Sequence, residues 1–356
     1  MKRAIVLSGG GAKGAYQIGV WKALRKMHMD YSIVTGTSVG ALNGAFFVQN
    51  DYYRAVNMWY NMSFSHVFDH MDGDYSTIEG KKDILLSYAK GVLDGGMDIS
   101  RLEKTLDKYL NVKKFYSSKI DYGLITVDLT DLKQVSIRKK EIPSKELKDY
   151  LIASASCFPA FKVKKIHGKN YIDGGYYDNI PINLAIELGA DEVIAVDLKA
   201  VGLKQKLITY DVPVTYIAPR ADLGSFLVFD KTLARRAMRL GYHDAMKTFQ
   251  KLDGNLYTFR LGEIQRMQKK YFKQFVSEVK DYLFSNRSVG IDMTKITKMN
   301  RLLKEENQEE LITQVIDFLG ESFSIPVDKV YTTSKFHREL LKRLRNTELI
   351  ELDKVK

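Results

Sequence analysis

The sequence has little cysteine, little proline and no long apolar run, and each of these absences excludes a class of protein. Cys157 is the only cysteine in 356 residues, so an intrachain disulfide is impossible and nothing indicates an oxidising compartment. No stretch approaches the ~20 apolar residues that a membrane span needs. The apolar residues after Met1-Lys2-Arg3 are interrupted at once by glycines, so we expect no signal peptide. The sequence therefore predicts a cytoplasmic protein.

The formal charge is strongly positive and unevenly placed. Residues 1–200 contribute +4 and residues 201–356 contribute +8 to the net charge of +12. A basic surface attracts anionic lipid headgroups, although many basic faces are simply solvated. A peripheral contact with an anionic membrane surface therefore stays open. No nucleic-acid-binding motif accompanies the positive charge, so we expect no nucleic-acid partner.

The pentapeptide Gly36-Thr37-Ser38-Val39-Gly40 lies between an apolar stretch and a run of small residues. Residues 32–35 predict a short buried strand, and residues 39–46 predict a helix. Glycines at both ends of such a strand-turn-helix allow the sharp elbow that presents a nucleophilic serine. The start of the helix also favours negative charge that develops nearby. The pattern indicates Ser38 as a nucleophile, and a glycine-rich turn with a solvated serine is the alternative.

A glycine-rich loop, Gly9-Gly10-Gly11-Ala12-Lys13-Gly14, follows a predicted strand at residues 4–7. Three consecutive glycines leave their backbone N–H groups unshielded by Cβ atoms, which suits an oxyanion hole. The positive charge of Lys13 could face a phosphate or water. Gly9, Gly11 and Gly14 also fit the dinucleotide-binding pattern G-x-G-x-x-G, which is a rival interpretation.

The dinucleotide pattern requires an acidic residue about 20 positions further on, at the end of the second strand. Residues 35–38 contain no carboxylate, and Asp30 precedes the strand. A P-loop is excluded because no Gly-Lys-Ser/Thr follows the glycines. We therefore expect no nucleotide cofactor, and an oxidoreductase stays only as an alternative that tight dinucleotide binding would reveal.

A third motif, Tyr171-Ile172-Asp173-Gly174-Gly175, puts a carboxylate at the end of a predicted strand. The glycines behind Asp173 allow a close approach to a partner side chain. An aspartate with its ordinary pKa of about 3.9 is a weak base, and burial raises the pKa of a carboxyl group. We therefore expect Asp173 to be shielded from water. An ordinary Asp-Gly turn is the alternative.

In their order along the chain, the three motifs resemble those of the patatin-like phospholipase family. The resemblance extends to Ala153–Phe161 and Gly189–Val196 and is weaker over Leu223–Tyr242. It implies an α/β protein with a three-layer α/β/α fold, a mainly parallel sheet and a C-terminal helical extension. It implies neither a cofactor nor a metal.

The resemblance also implies a role for each motif residue. Ser38 would be the nucleophile and Asp173 the base, and Gly9, Gly10 and Gly11 would form the oxyanion hole. The positions that support the motifs are Lys13, Gly14, Gly36, Gly40, Gly174 and Gly175. The implied activity is that of a serine lipid acyl hydrolase of phospholipase A or lysophospholipase type, acting on lipid esters through an acyl-enzyme. An acyltransferase with the same serine, or a non-catalytic lipid-binding protein, is the alternative.

Histidine offers another candidate base and a candidate metal site. His167 is the only one of six histidines near Asp173 in the sequence, and it lies in a predicted turn, where a structural role is the better interpretation. His66 and His70 are spaced i, i+4 with aspartates nearby, but no His-Glu-x-x-His pattern supports a metal.

Alternating strand and helix patterns predict a catalytic domain over residues 1–220 and a mostly helical extension over residues 221–356. The irregular aromatic segment at residues 61–79 fits either a lid over the site or a packed insertion. An apolar stripe formed by Leu340, Leu341, Leu344, Leu349 and Ile350 fits packing onto its own domain, a membrane contact or a dimer face. A homo-oligomer through the C-terminal helices therefore stays open.

The sequence patterns also predict individual elements. The predicted helices cover residues 51–62, 78–93, 99–110, 145–153, 182–188, 230–249, 263–284, 294–305 and 309–318. The predicted strands cover residues 122–127, 134–138, 192–196 and 214–217, with a hairpin over residues 162–172.

Overall fold

The computed structural model describes residues 1–68, 77–270 and 308–352. The chain divides into two compact units, Met1–Asp244 and Ala245–Lys356. This division lies inside a helix, whereas the sequence predicts a domain boundary at residue 220.

A mainly parallel eight-stranded sheet forms the centre of the first unit. The strands are β1 (Arg3–Leu7), β2 (Ile33–Thr37), β3 (Asp121–Asp128), β4 (Lys133–Arg138), β5 (Lys164–Ile166), β6 (Lys169–Asp173), β7 (Glu192–Val196) and β8 (Val214–Ile217). Their order is β5-β6-β3-β2-β1-β7-β8, and β4 also pairs with β3. The pairs among β3, β2, β1, β7 and β8 are parallel. The pairs β3–β4, β3–β6 and β5–β6 are antiparallel, which confirms the predicted hairpin.

Helices lie on both faces of this sheet. They are α1 (Ala15–Lys26), α2 (Val39–Val48), α3 (Tyr52–Asn61), α4 (Ile78–Leu93), α5 (Ser100–Tyr109), α6 (Val112–Ser117), α7 (Leu147–Ser154), α8 (Ile182–Glu187) and α9 (Lys231–Thr248). Because side chains alternate along a strand, β1 sends Ala4 and Val6 to the face that packs with Ala185 of α8. On the opposite face, Gly44 of α2 lies against Val34. The predicted three-layer α/β fold is confirmed.

In its described ranges, the second unit contains a small three-stranded sheet and three helices. The strands β9 (Leu252–Asp253), β10 (Thr258–Arg260) and β11 (Val330–Tyr331) lie in the order β11-β10-β9. The helices are α10 (Glu263–Lys270), α11 (Gln308–Ser322) and α12 (Thr333–Leu352). Aliphatic and aromatic side chains together form the buried core, and Leu340 is one of its members. This part of the predicted apolar stripe therefore packs inside its own unit.

Several predictions for the C-terminal part lie outside the described residues. The predicted helix at 263–284 is described as far as Lys270, and the one at 294–305 is not described. The side chains of Leu344, Leu349 and Ile350 are likewise outside. Among the helices of the described ranges, none is long and apolar enough to cross a membrane.

The segment predicted as a lid or an insertion is packed in its described part. Phe64, Val67 and Phe68 are buried, and the ring of Phe68 lies 5.5 Å from the ring of Phe161. Residues 69–76, which include His70, Met71 and Tyr75, lie outside the described residues.

Candidate active site

Strand β3 brings the carboxyl ends of two other strands together. One edge of β3 pairs with β4 along most of its length. The other edge pairs with β2 as far as Ile125, opposite Thr37, and with β6 from Thr126, opposite Asp173. Because β2 runs parallel and β6 antiparallel to β3, their carboxyl ends meet head to head. Ser38, which follows Thr37, is thereby placed beside Asp173.

Ser38 lies in a strained turn between β2 and α2. Its φ of 58° and ψ of −129° form a backbone conformation that non-glycine residues rarely adopt. The turn closes because two neighbours lack side chains. A Cβ atom on Gly36 would lie 2.3 Å from the Gly40 carbonyl oxygen, and one on Gly40 would lie 2.1 Å from the Leu7 carbonyl oxygen. The local sequence thus forms the sharp elbow that it predicts.

The Ser38 side chain lies next to the Asp173 carboxylate and lowers the pKa of that carboxyl group. Asp173 is only 6% exposed, as the sequence predicts, and its Oδ1 accepts a 2.8 Å bond from the Gly175 N–H. Burial raises the pKa of Asp173 to about 6, against the smaller lowering effects of the Ser38 side chain and the Gly175 N–H. Asp173 is therefore a stronger base than an exposed aspartate and is still mostly ionised at neutral pH.

Ser154, the last residue of α7, fixes the backbone of the Ser38 turn. The Ser38 N–H donates to Ser154 Oγ at 2.9 Å, and this hydroxyl donates to the Ile125 carbonyl at 2.7 Å. Ser154 is fully buried, so its hydroxyl connects the turn to the strand that aligns Asp173. The sequence gives Ser154 no role, because its partners are 116 and 29 residues away and no local pattern links them.

The glycine-rich loop after β1 borders the same site. Gly10 and Gly11 line a cavity together with Ser38, and neither N–H is bonded to another described residue. The Gly9 N–H instead donates to the Asn179 carbonyl at 3.0 Å. Gly9 therefore holds the loop in place, and the N–H groups open to a ligand are those of Gly10 and Gly11.

Buried hydrogen bonds hold the base of this loop. Asn43 of α2 donates from Nδ2 to the Gly14 carbonyl at 3.0 Å and to Gln17 Oε1 at 2.8 Å. Gln17 of α1 donates from Nε2 to the Ser8 carbonyl at 2.8 Å. These bonds tie both ends of the loop to two helices. The loop is thus fixed before a ligand binds, as an oxyanion hole requires.

The remaining motif positions support these contacts. The Lys13 N–H closes the loop by donating to the Gly10 carbonyl at 3.1 Å, and its side chain is not part of the cavity wall. A Cβ atom on Gly174 would lie 2.3 Å from the Ile125 carbonyl oxygen, and one on Gly14 would lie 2.4 Å from Val39 Cγ2. Both glycines therefore allow close packing around the elbow.

A cavity of about 490 Å³ opens onto Ser38 and Asp173. Its wall is mostly apolar and includes Phe161, Ala200, Val201, Leu203 and Phe226. Asp173 is the only charged side chain among its described lining residues. Such a cavity suits an apolar chain whose polar end lies beside the serine.

The other candidate residues either lie outside the cavity or carry an unreactive side chain. His167 is exposed in the β5–β6 turn, with Nε2 at 3.1 Å from the Glu146 carboxylate, and does not line the cavity. Cys157 lines the cavity, but burial raises the pKa of its thiol to about 11, which keeps it protonated at neutral pH. In the described ranges, no three His, Cys, Asp or Glu side chains are grouped as a metal site requires.

A family model described as patatin-like phospholipase matches residues 5–186, a span that contains Ser38, Asp173 and the glycine-rich loop. The chain belongs to the patatin-like phospholipase family. Patatin-like phospholipase domain-containing protein 7 of Rattus norvegicus is 28% identical over 202 residues, which are 55% of this chain and 13% of that protein. Lysophospholipase nte1 of Aspergillus terreus is 27% identical over 202 residues, which are 55% of this chain and 12% of that protein.

The chain therefore spans a small part of the length of these curated patatin-like relatives. Among solved structures, VipD from Legionella pneumophila resembles the chain with a TM-score of 0.46 and 13% identity, over 96% of this chain and 91% of that one.

Proposed function

We propose that this chain is a serine lipid acyl hydrolase that cleaves carboxylic esters of membrane lipids, as a phospholipase A or a lysophospholipase does. Family membership supports lipid ester chemistry. The observation that carries the proposal is that Ser38 and the buried Asp173 carboxylate lie next to each other in an apolar cavity. A serine hydroxyl becomes an effective nucleophile when a base within hydrogen-bond distance removes its proton.

In the first half of the reaction, Asp173 takes the proton of Ser38 while Oγ attacks the ester carbonyl carbon. The carbonyl oxygen becomes an oxyanion, and the N–H groups of Gly10 and Gly11 and the start of α2 stabilise its charge. The intermediate then collapses. The ester C–O bond breaks, the leaving alcohol takes the proton from Asp173, and the acyl group stays on Ser38.

In the second half, a water molecule gives a proton to Asp173 and attacks the acyl-enzyme. The second oxyanion uses the same N–H groups, and its collapse returns the proton to Ser38 and releases a fatty acid. The apolar wall formed by residues such as Phe161 and Phe226 binds the acyl chain, while the alcohol part of the lipid faces the opening.

The test measures fatty acid release from phosphatidylcholine and lysophosphatidylcholine by the wild-type protein and by Ser38→Ala and Asp173→Asn. We expect the wild type to release fatty acid and both folded variants to be inactive. Acyl transfer to an added alcohol in preference to water would identify an acyltransferase instead. A folded wild-type protein that is inert on every ester would contradict the proposal.

A further inference from the structure

An exposed apolar rim surrounds the opening of the catalytic cavity. We define the rim as Phe158, Tyr176, Tyr177, Val201 and Leu203, all of which are exposed. Tyr176, Val201 and Leu203 also line the cavity. Val201 is 94% exposed. Apolar surface concentrated at a binding site marks a contact with another molecule or with a membrane.

Hydrogen bonds join the three segments of the rim into one surface. Phe158 follows α7, Tyr176 and Tyr177 follow β6, and Val201 and Leu203 lie in the connection between β7 and β8. The Leu203 N–H donates to the Gly175 carbonyl at 2.9 Å, and Gln205 Nε2 donates to the Tyr177 carbonyl at 2.7 Å. The Tyr176 hydroxyl donates to the Phe158 carbonyl. The backbone is thus fixed by polar contacts while the apolar side chains face outward.

Positive charge accompanies the rim. Residues 199–210 contain three lysines and no aspartate or glutamate. Lys204 pairs with Asp197 at 2.5 Å. Lys199 and Lys206 are exposed and add two positive charges beside the apolar side chains. An apolar surface flanked by lysines complements an anionic bilayer, which offers acyl chains below a layer of phosphates.

We propose that this rim docks the protein onto an anionic phospholipid bilayer. Val201 and Leu203 enter the interface, Tyr176 and Tyr177 lie at the level of the headgroups, and Lys199 and Lys206 contact lipid phosphates. Docking places the cavity opening against the membrane, so a lipid chain passes to Ser38 along an apolar surface without crossing water. The inference rests on the proposed lipid ester hydrolase function, because it explains how substrate reaches that site.

The test measures cosedimentation with phosphatidylcholine vesicles, with and without phosphatidylserine, in a Ser38→Ala background that leaves the lipid intact. We expect Val201→Asp to lower the partition coefficient by about tenfold or more. We expect a comparable loss on phosphatidylserine vesicles for the pair Lys199→Glu and Lys206→Glu, and weaker wild-type binding at high salt. Tyr210→Asp is the matched control, because Tyr210 is 84% exposed but lies close before β8, towards the opposite end of the parallel strands.

A second measurement does not require the Val201→Asp variant to fold. With Cys157 replaced by Ser, an environment-sensitive dye on Val201→Cys should shift its emission to the blue when vesicles are added, and the same dye on Tyr210→Cys should not. Equal behaviour of positions 201 and 210 in both experiments would overturn the docking proposal. So would self-association that Val201→Asp abolishes in a protein that does not bind vesicles, because the rim would then cover a second copy.

The experiments distinguish failure of the docking proposal from failure of the hydrolase proposal. Activity on a soluble ester without rim-dependent vesicle binding would overturn docking alone. Rim-dependent binding by a protein that is inert on every ester would support docking and contradict the hydrolase.

Discussion

The floor of the cavity beside Ser38 and the rim of that cavity differ in both polarity and exposure. On the floor, Ser38 and Asp173 are buried and hydrogen-bonded, Ser38 through its N–H to Ser154 and Asp173 to the Gly175 N–H. On the rim, apolar side chains such as Val201 and Leu203 face outward. The floor holds polar atoms at fixed distances, which bond-making chemistry requires. The rim offers apolar area without fixed partners, which suits a fluid surface. Substitutions in the floor should therefore change the chemical step, and substitutions in the rim should change access to lipid.

The largest expected effect is that of Ser38→Ala. Removing the nucleophile should lower kcat on a soluble p-nitrophenyl ester by about 10⁴-fold or more. The matched control is Ser136→Ala, because Ser136 is an exposed serine on β4, outside the cavity. Equal activity of the two folded variants would contradict the assignment of Ser38.

Asp173→Asn should lower kcat by about 10³- to 10⁴-fold, because an amide cannot take the serine proton. The wild-type kcat/KM should rise with pH through about 6, the pKa of the buried Asp173 carboxyl group. Asp178→Asn is the matched control. Asp178 is also buried with a pKa raised to about 6 by desolvation, but it accepts the Ile180 N–H and does not line the cavity. A pH profile that is flat between 5 and 7 would contradict the role of Asp173.

Asp173→Asn, which should lower activity, should at the same time raise the stability of the fold at neutral pH. The pKa of Asp173 is higher in the folded protein than in the unfolded chain, so ionisation destabilises the fold as pH rises from about 4 to about 6. Asp173→Asn removes this cost and should raise the free energy of unfolding by about 3 kcal/mol above pH 6, and by little below pH 4. Urea unfolding at both pH values measures the difference. A variant that is less stable than the wild type at pH 7 would contradict the buried, ionised carboxylate.

Gly11→Ala should have an intermediate effect. Gly11 has a φ of +53°, and an added Cβ would lie 2.3 Å from the Phe226 carbonyl oxygen, so the loop must move. Displacing one oxyanion donor should lower kcat by about 10²- to 10³-fold. Gly168→Ala is the control, because Gly168 also has a positive φ but has no atom within 4 Å of its added Cβ. Loss of activity in both variants would indicate general instability and not a role in the oxyanion hole.

Ser154→Ala should have the smallest effect on the chemistry. The variant leaves the Ser38 N–H without its buried acceptor, so kcat should fall by about tenfold while KM changes little. Ser156→Ala is the matched control, because this serine is also buried but donates to the Ile152 carbonyl within its own helix turn. A loss confined to KM, or an equal loss in both variants, would contradict a role in positioning Ser38.

Most elements of the first unit could be predicted from the sequence because its patterns are local. The apolar run at β1, the small residues of α2 and the turn at His167-Gly168 each determine their own conformation. The elbow at Ser38 is local only in part: Gly36 allows a close approach to the Gly40 carbonyl within the motif, whereas Gly40 allows a close approach to the Leu7 carbonyl of β1.

Contacts between distant segments could not be predicted in this way. The meeting of β2 and β6 on one edge of β3 depends on long-range strand pairing: Ile33 pairs with Asp121, and Thr126 pairs with Asp173. The Ser154 bond and the engagement of the Gly9 N–H by Asn179 have the same origin. In the second unit, β9 and β11 have two residues each, which is too short for a period of two to be visible.

Covalent trapping tests the central claim, the activation of Ser38 by Asp173, most directly. A p-nitrophenyl alkylphosphonate reacts with an activated serine and leaves a stable phosphonyl group that mimics the tetrahedral intermediate. Mass spectrometry of the digested protein should find one phosphonyl group on the peptide that contains Ser38, formed much more slowly in Asp173→Asn. Labelling of another residue, or equal rates in the folded wild type and Asp173→Asn, would contradict the account.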